Sequence, residues 1–176
     1  MCLAALFFAV VGLLGPSQAL AQDAAATAAV KARYEKLLAA YSRIMMQPSK
    51  TSPSAIAFSI KNNMVSKGLK ALLVKDEACA QKSGGVCKLD FDFLLNGQDF
   101  CKPLAIVAVL PKGKTYVLRV SNRFEACDPQ GHDEPYDFTL IDESGTWVID
   151  DAAYATKDDA GKSIRVTLKD ILRGKK

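Results

Sequence analysis

The hydrophobic pattern of this chain changes its period once, near Cys101, and that change constrains the fold more than any other feature. Before it, apolar residues recur at helical spacing; after it, short apolar segments alternate with turn residues. Helices followed by a run of strands are typical of α+β domains. We therefore expect an α+β fold in which N-terminal helices pack on a curved antiparallel sheet and a short helix closes the chain.

The first half of the chain predicts two helical regions. From Asp23 an amphipathic helix is expected to end near Gln47, because Pro48 cannot continue it. Its apolar stripe comprises Val30, Tyr34, Leu37, Leu38, Tyr41, Ile44 and Met45. A second stripe runs through Ile60, Met64, Val65, Leu69, Leu72 and Leu73. Gly68 lies inside this second region, which is either one helix or two helices with a break at Gly68.

The second half predicts two hairpins and a helix. The segments "LAIVAVL" (104–110) and "TYVLRVSNRF" (115–124) flank "PKGK", and "YDFTLID" and "TWVID" flank "ESG". The first segment is apolar on both faces, which favours a central strand covered on each side. "VTLKDILRG" returns to helical spacing through Val166, Leu168, Ile171 and Leu172, with Gly174 as its cap.

The N-terminus has the pattern of a signal peptide. Leu3 to Leu14 is an uninterrupted apolar run, too short to span a bilayer comfortably, and Ala19-Leu20-Ala21 supplies the small-x-small pattern read by signal peptidase. We expect cleavage before Gln22. Residues 1–21 are then a signal peptide and residues 22–176 a single α+β domain, in the bacterial periplasm or secreted. The formal net charge of +4 is mild, and export makes nucleic acid an improbable partner.

Four cysteines remain once Cys2 is removed with the signal peptide: Cys79, Cys87, Cys101 and Cys127. In an oxidising compartment an even count predicts two disulfides, with three possible pairings. The preferred pairing is Cys79–Cys87, across "AQKSGGV", and Cys101–Cys127, which the first hairpin brings near each other. The chain has no C-x-x-C and one histidine, so a zinc site is not expected. Paired thiols are not catalytic nucleophiles.

The stretch "DFDFLLNGQDFC" (90–101) combines aspartates, an Asn-Gly pair and a cysteine. Read as a calcium loop, it fails at essential ligands in both registers, starting at Asp90 or at Asp92. A helix-to-sheet elbow (residues 89–101) is the better interpretation. Its apolar residues enter the core, Asn96-Gly97 permits positive φ, and Asp99 accepts backbone hydrogen bonds.

This elbow, with "GTWVIDDAAY" and "LKDIL" further along, resembles an exported bacterial family catalogued as domain of unknown function 3828. The resemblance covers about Ala28 to Arg173. It implies a fold similar to the cystatin-like, nuclear-transport-factor-two-like cone, in which a bent antiparallel sheet wraps around helices. The family has no agreed activity, so the resemblance informs the fold and leaves the function open.

Motifs for catalysis are absent from the sequence: it has no G-x-S-x-G elbow, P-loop or G-x-G-x-x-G. His132 lies in a polar loop typical of solvated residues. We therefore expect a non-catalytic binding protein without metal or cofactor. Its partner would be an envelope protein, including a toxin that it neutralises, or a small apolar ligand. The alternative is a small cavity enzyme working by carboxylate acid–base catalysis, with Asp99 or Asp150 as the base.

The candidate binding residues are Asn96 and Asp99 in the elbow together with Tyr116, Arg119 and Trp147 on the sheet. Trp and Arg are over-represented among binding anchors. For Trp147 the alternative is plain packing in the core.

Overall fold

A computed structural model describes residues 16–98, 100, 103–122, 135–153 and 163–172. The elements in chain order are α1 (Pro16–Met46), α2 (Ala55–Lys61), α3 (Lys67–Ser83), β1 (Ala105–Lys112), β2 (Thr115–Ser121), β3 (Tyr136–Glu143), β4 (Thr146–Ala152) and α4 (Ile164–Leu172). The strands form one antiparallel sheet in the order β1-β2-β3-β4. The predicted α+β fold is confirmed, with helices first, then the sheet, then a short helix.

Helix α1 packs on β1 and buries the predicted stripe. Its most buried side chains are Val30, Tyr34, Leu38 and Tyr41. The helix begins at Pro16, seven residues before the predicted start at Asp23. No proline or glycine lies between Pro16 and Asp23, so nothing in this segment stops a helix. The predicted end is confirmed, since α1 stops at Met46 and Pro48 follows.

The second helical region consists of two helices, α2 and α3, but the break between them is not at Gly68. The break spans residues 62–66, where Asn63 has a φ of 50° and the Ser66 hydroxyl accepts the Leu69 N–H at 3.0 Å to start α3. Gly68 lies inside α3. A Cβ on it would be 2.6 Å from Nη2 of Arg165, so the glycine makes room for a guanidinium that crosses the helix.

The segment between α2 and α3 borders the sheet next to β4. Val65 forms a parallel bridge with Ile149. The Ile149 N–H donates to the Met64 carbonyl at 2.7 Å, and the Ser66 N–H donates to the Ile149 carbonyl at 2.8 Å. From α1, the Tyr34 hydroxyl reaches the carbonyls of Met64 at 3.3 Å and Trp147 at 3.2 Å. The two halves of the chain are thus joined by hydrogen bonds along this border.

Strand β1 was predicted to be central and lies at the edge of the sheet instead. One face of β1 contacts the core through Ile106 and Val109, but Val107 is 55 % exposed and Leu110 is 45 % exposed. An apolar run alone does not reveal whether both faces are covered. Pro111 is consistent with an edge, because proline has no N–H to donate to a second neighbouring strand.

Both predicted hairpins are confirmed. The β1–β2 turn contains Gly113 at a φ of 61°, and the β3–β4 turn contains Ser144 at 56° and Gly145 at 82°. The inward face of the sheet carries the alternating buried side chains Tyr116, Leu118, Val120, Tyr136, Phe138, Leu140 and Ile149. This face meets the buried stripe of α1 and forms one core with it.

Helix α4 turns Ile164 and Leu168 into the core. Val166, which the sequence pattern assigned to the apolar stripe, is 62 % exposed, so that assignment is wrong. The stripe starts two residues earlier because the Asp151 carboxylate accepts the Arg165 N–H at 3.0 Å and fixes the first turn of the helix.

No helix within the described ranges is long and apolar enough to cross a membrane.

Candidate functional site

An apolar concave surface in the described part of the chain is a groove of about 420 Å³ at the C-terminal end of α1. We call it the α1–α2 groove. Its lining consists of Tyr41, Met45, Pro48, Ser52, Pro53, Ser54, Ala55, Ile56, Leu89, Phe91, Asp92 and Phe93. Apolar side chains dominate this lining, and Asp92 is its one carboxylate. Apolar concavity with a few placed polar groups is typical of small-ligand sites.

The rim of the groove is set by short-range hydrogen bonds in the loop between α1 and α2. The Ser52 N–H donates to the Ser49 carbonyl at 3.0 Å, and the Ser49 N–H donates to the Ser52 hydroxyl at 2.9 Å. Ser54 then caps α2, its hydroxyl accepting the Ala57 N–H at 3.1 Å. These contacts fix the direction in which Ala55 and Ile56 enter the groove.

The Asp92 carboxylate organises the elbow. Its Oδ1 accepts the backbone N–H groups of Leu94 at 2.9 Å and Leu95 at 3.2 Å, and its Oδ2 accepts the Tyr41 hydroxyl. The turn closes through Asn96, at a φ of 53°, and through the Asp92 N–H, which donates to the Gly97 carbonyl at 3.0 Å. The predicted turn at Asn96-Gly97 is therefore confirmed, and Asp92 stabilises it.

Burial governs the protonation of this cluster. Burial raises the pKa of Asp92, and the hydrogen bonds from Tyr41, Leu95 and Leu94 oppose that rise. Burial, followed by the charge on Asp92, raises the pKa of Tyr41 well above its ordinary range. Burial likewise raises the pKa of Tyr136, whose hydroxyl donates to the Leu94 carbonyl. Both tyrosines therefore remain hydrogen-bond donors at neutral pH.

Leu89, Phe91, Asp92 and Phe93 form the elbow wall of the groove, and this wall is also tied to α3. Cys79 and Cys87 form a disulfide bond, as predicted. The buried Asp76 carboxylate accepts the backbone N–H groups of Lys88 at 2.9 Å and Leu89 at 3.2 Å. The wall thus has anchors on two helices, on α3 through Cys79 and Asp76 and on α1 through Tyr41.

A second, more polar concavity of about 340 Å³ lies at the start of α3. Lys67 and Lys70 contribute to it, but the Glu143 carboxylate already accepts the Lys67 N–H at 3.1 and 3.2 Å. This carboxylate satisfies the helix N-terminus that would otherwise attract an anion. The concavity is therefore less suited to a ligand than the α1–α2 groove.

The structure describes four of the predicted binding residues, Asn96, Tyr116, Arg119 and Trp147. Tyr116 and Trp147 come together, with ring centroids 4.6 Å apart in an edge-to-face arrangement against the core. Arg119 alternates with inward-facing residues of β2 and forms a two-pronged ion pair with Asp137, both contacts at 2.8 Å. Asn96 belongs to the elbow turn. These contacts give Trp147 and Arg119 structural partners within the chain.

Several predicted residues lie outside the described ones: Asp99, Cys101, Cys127 and His132. The pairing of Cys101 with Cys127 therefore stays a prediction. Asp150, the other candidate base, forms an ion pair with Arg165 and accepts the Ser66 hydroxyl at 2.6 Å. No group of three or more potential metal-ligating side chains occurs among residues that the structure describes.

The Tyr41–Asp92 pair, both of whose residues line the groove, was not predicted from the sequence. Tyr41 was assigned to the apolar stripe, and Asp92 was considered only as a metal ligand. One signal was present: a tyrosine on the buried face of a helix carries a hydroxyl that needs a partner.

Comparison with known proteins finds no family model, no curated protein and no solved structure that matches this chain.

Proposed function

We propose that this chain is an exported, non-catalytic binding protein that holds a small apolar ligand in the α1–α2 groove. The observation that carries this proposal is the groove itself, a concavity of about 420 Å³ whose walls are mostly aliphatic and aromatic. Its volume lies within the range of roughly 300–1,000 Å³ that small-molecule sites occupy. A protein partner, such as an envelope protein or a toxin, would need a broader surface than this groove provides.

Export to the periplasm is supported by two features. The apolar run Leu3–Leu14 precedes the Ala19-Leu20-Ala21 pattern, and the Cys79–Cys87 disulfide is of a kind that persists in oxidising compartments. Helix α1 continues through the expected cleavage position before Gln22. Cleavage there would leave the predicted stripe of α1 intact, because that stripe begins at Val30, which is buried.

The contacts of the carboxylates favour binding over the alternative of a cavity enzyme. A general base needs a lone pair directed at a substrate proton. In the groove, the Asp92 carboxylate already accepts three hydrogen bonds from the chain. Asp150 is engaged by Arg165 and Ser66. Both groups hold secondary-structure elements together, which is a structural use of a carboxylate.

A neutral apolar fluorophore, N-phenyl-1-naphthylamine, tests the proposal. Titrated into the purified chain, it should give a saturable fluorescence increase with one site per molecule. Ile56→Asp places a charge in the groove and should weaken binding by about tenfold or more. The variant should fold, because Ile56 is the second residue of α2 and acidic residues are favourable in a first turn.

Val166→Asp is the matched control, since Val166 is an exposed residue on α4 and does not line the groove. It should bind the fluorophore as the unaltered chain does. Absence of saturable binding by the unaltered chain, or equal weakening in both variants, would overturn the proposal. Turnover of a substrate by the unaltered chain, without saturable binding of the fluorophore, would favour the enzyme alternative.

A further inference from the structure

We propose that the Cys79–Cys87 disulfide controls the affinity of the α1–α2 groove, so that only the oxidised chain binds its ligand fully. This inference rests on the proposed binding function and concerns the regulation of the same site. It follows from the path of the chain between the disulfide and the groove. Three successive anchors lie along that path.

The first anchor is covalent. Cys79 lies in the last turns of α3, which ends at Ser83, and Gly84 follows in the left-handed conformation at a φ of 67°. The chain reverses there, and Cys87 returns to α3 to form the disulfide, with Cα atoms 5.7 Å apart. A Cβ on either glycine after α3 would meet no atom within 4 Å, and the N–H groups of both glycines donate to the Ala80 carbonyl. The disulfide therefore supplies the covalent restraint on this reversal.

The second anchor is the Asp76 carboxylate, one helical turn before Cys79. It is 3 % exposed and accepts the N–H groups of Lys88 and Leu89, the two residues after Cys87. These hydrogen bonds require the chain to leave Cys87 in one direction. The disulfide positions the two N–H donors, and the Asp76 carboxylate accepts their hydrogen bonds.

The third anchor is at the far end of the wall, where the Tyr41 hydroxyl donates to Asp92. Leu89 belongs to the second anchor and Phe91 lies between the second and third, and both residues line the groove. The wall is thus a short segment held at each end. When the disulfide opens, the end tied to α3 loses its covalent restraint and keeps its non-covalent contacts, including the two hydrogen bonds to Asp76.

Opening the disulfide requires a two-electron reductant. A dithiol transfers two electrons and two protons: the S–S bond of Cys79–Cys87 breaks, two thiols form, and the dithiol becomes a cyclic disulfide. The reduced wall samples more conformations, and a ligand must then order it on binding. We expect affinity for the fluorophore to fall about tenfold, which is the effect of a modest loss of preorganisation.

This arrangement makes ligand binding depend on whether the compartment is oxidising or reducing. A chain whose thiols are still reduced has an incomplete groove, and oxidation after export completes it. The ligand would then be bound where the disulfide is stable and released where dithiols are abundant.

The test titrates N-phenyl-1-naphthylamine into the unaltered chain and into the Cys79→Ser/Cys87→Ser variant, each with and without dithiothreitol. The double variant keeps the remaining cysteines, so it isolates this disulfide. It should bind about tenfold more weakly than the oxidised chain, and dithiothreitol should weaken only the unaltered chain to the same level. Equal affinity of the oxidised chain and the double variant would overturn the inference and leave the proposed function standing.

If the unaltered oxidised chain does not bind at all, the proposed function fails. Amide hydrogen exchange then still decides the structural part, and it also serves if the double variant does not fold. Reduction should speed exchange at Leu89 and Phe91, while amides in the middle of α1, near Leu38, should not change. Unchanged exchange at Leu89 after reduction would overturn the inference.

Discussion

The Tyr41 hydroxyl donates a hydrogen bond to the Asp92 carboxylate and thereby joins α1 to the elbow, 51 residues further along the chain. Replacing Asp92 by alanine removes this contact and leaves the N–H groups of Leu94 and Leu95 without an acceptor. We expect the free energy of unfolding to fall by about 2–4 kcal/mol, as is usual when buried donors lose their partner. Urea denaturation followed by the fluorescence of Trp147, the one tryptophan of the chain, measures this change.

Asp92→Asn should affect stability differently from Asp92→Ala. The amide oxygen of asparagine still accepts both N–H groups, and the amide carries no charge. Burial raises the pKa of Asp92 in the folded chain, so the folded state binds this proton more tightly than the unfolded state does. The stability contributed by Asp92 is therefore greatest below its unfolded pKa of about 4 and is lost as the pH rises through the folded pKa. We expect the stability of Asp92→Asn relative to the unaltered chain to increase over that pH window. A difference that is constant from pH 3 to 8 would contradict the expectation.

Tyr136 and Tyr116 offer a matched pair of hydroxyl deletions on the inward face of the sheet. The Tyr136 hydroxyl donates to the Leu94 carbonyl, whereas the structure gives the Tyr116 hydroxyl no hydrogen bond to any described residue. Tyr136→Phe should lower the free energy of unfolding by about 1–2 kcal/mol because it leaves a buried carbonyl unpaired. Tyr116→Phe should change it by less than about 0.5 kcal/mol. Similar losses for both variants in thermal or urea unfolding would contradict this assignment.

Gly68 and Arg165 should be energetically coupled. Alanine usually stabilises a helix relative to glycine by about 0.5–1 kcal/mol, but a Cβ at this position meets the Arg165 guanidinium. We expect Gly68→Ala to be neutral or destabilising in the unaltered chain. In an Arg165→Ala background, where the obstruction is gone, the same substitution should stabilise α3. A double-mutant cycle measures the coupling, and additive effects would show that the two residues do not interfere.

Arg119→Ala should change the free energy of unfolding by no more than about 0.5 kcal/mol. The Arg119–Asp137 pair has good geometry, but the Arg119 side chain is 42 % exposed, and solvated ion pairs contribute little. The small residual effect should diminish further in high salt, because ions screen the pair. A loss above about 1 kcal/mol in urea denaturation would mean that the pair is more important to the sheet than its exposure indicates.

The element types were predictable because burial leaves a periodic signal. The stripe of α1 and the alternation of Phe138 and Leu140 follow directly from 3.6-residue and two-residue periods. The position of β1 in the sheet was not predictable, since the same apolar run fits a central strand or an edge strand. What distinguishes the two is which segments cover Val107, and that depends on the tertiary fold.

The groove was less predictable than the fold. Its wall combines Leu89 and Phe91 with residues of α1 and α2, and only the folded chain brings these segments together. The break before α3 was misplaced for a related reason. Gly68 looks like a helix breaker in the sequence, but it accommodates Arg165, which lies nearly a hundred positions away. Close approach between distant segments leaves no local signal.

The border formed by residues 64–66 beside β4 joins segments that are synthesised far apart in time. Ribosomes deliver the N-terminus first, yet Met64 and Ser66 find their backbone partners only at Ile149. Helix α1 is likewise sealed to the sheet through Tyr34 and the Trp147 carbonyl. The border between the two halves therefore cannot form until β4 has been synthesised, so the shared core is completed late.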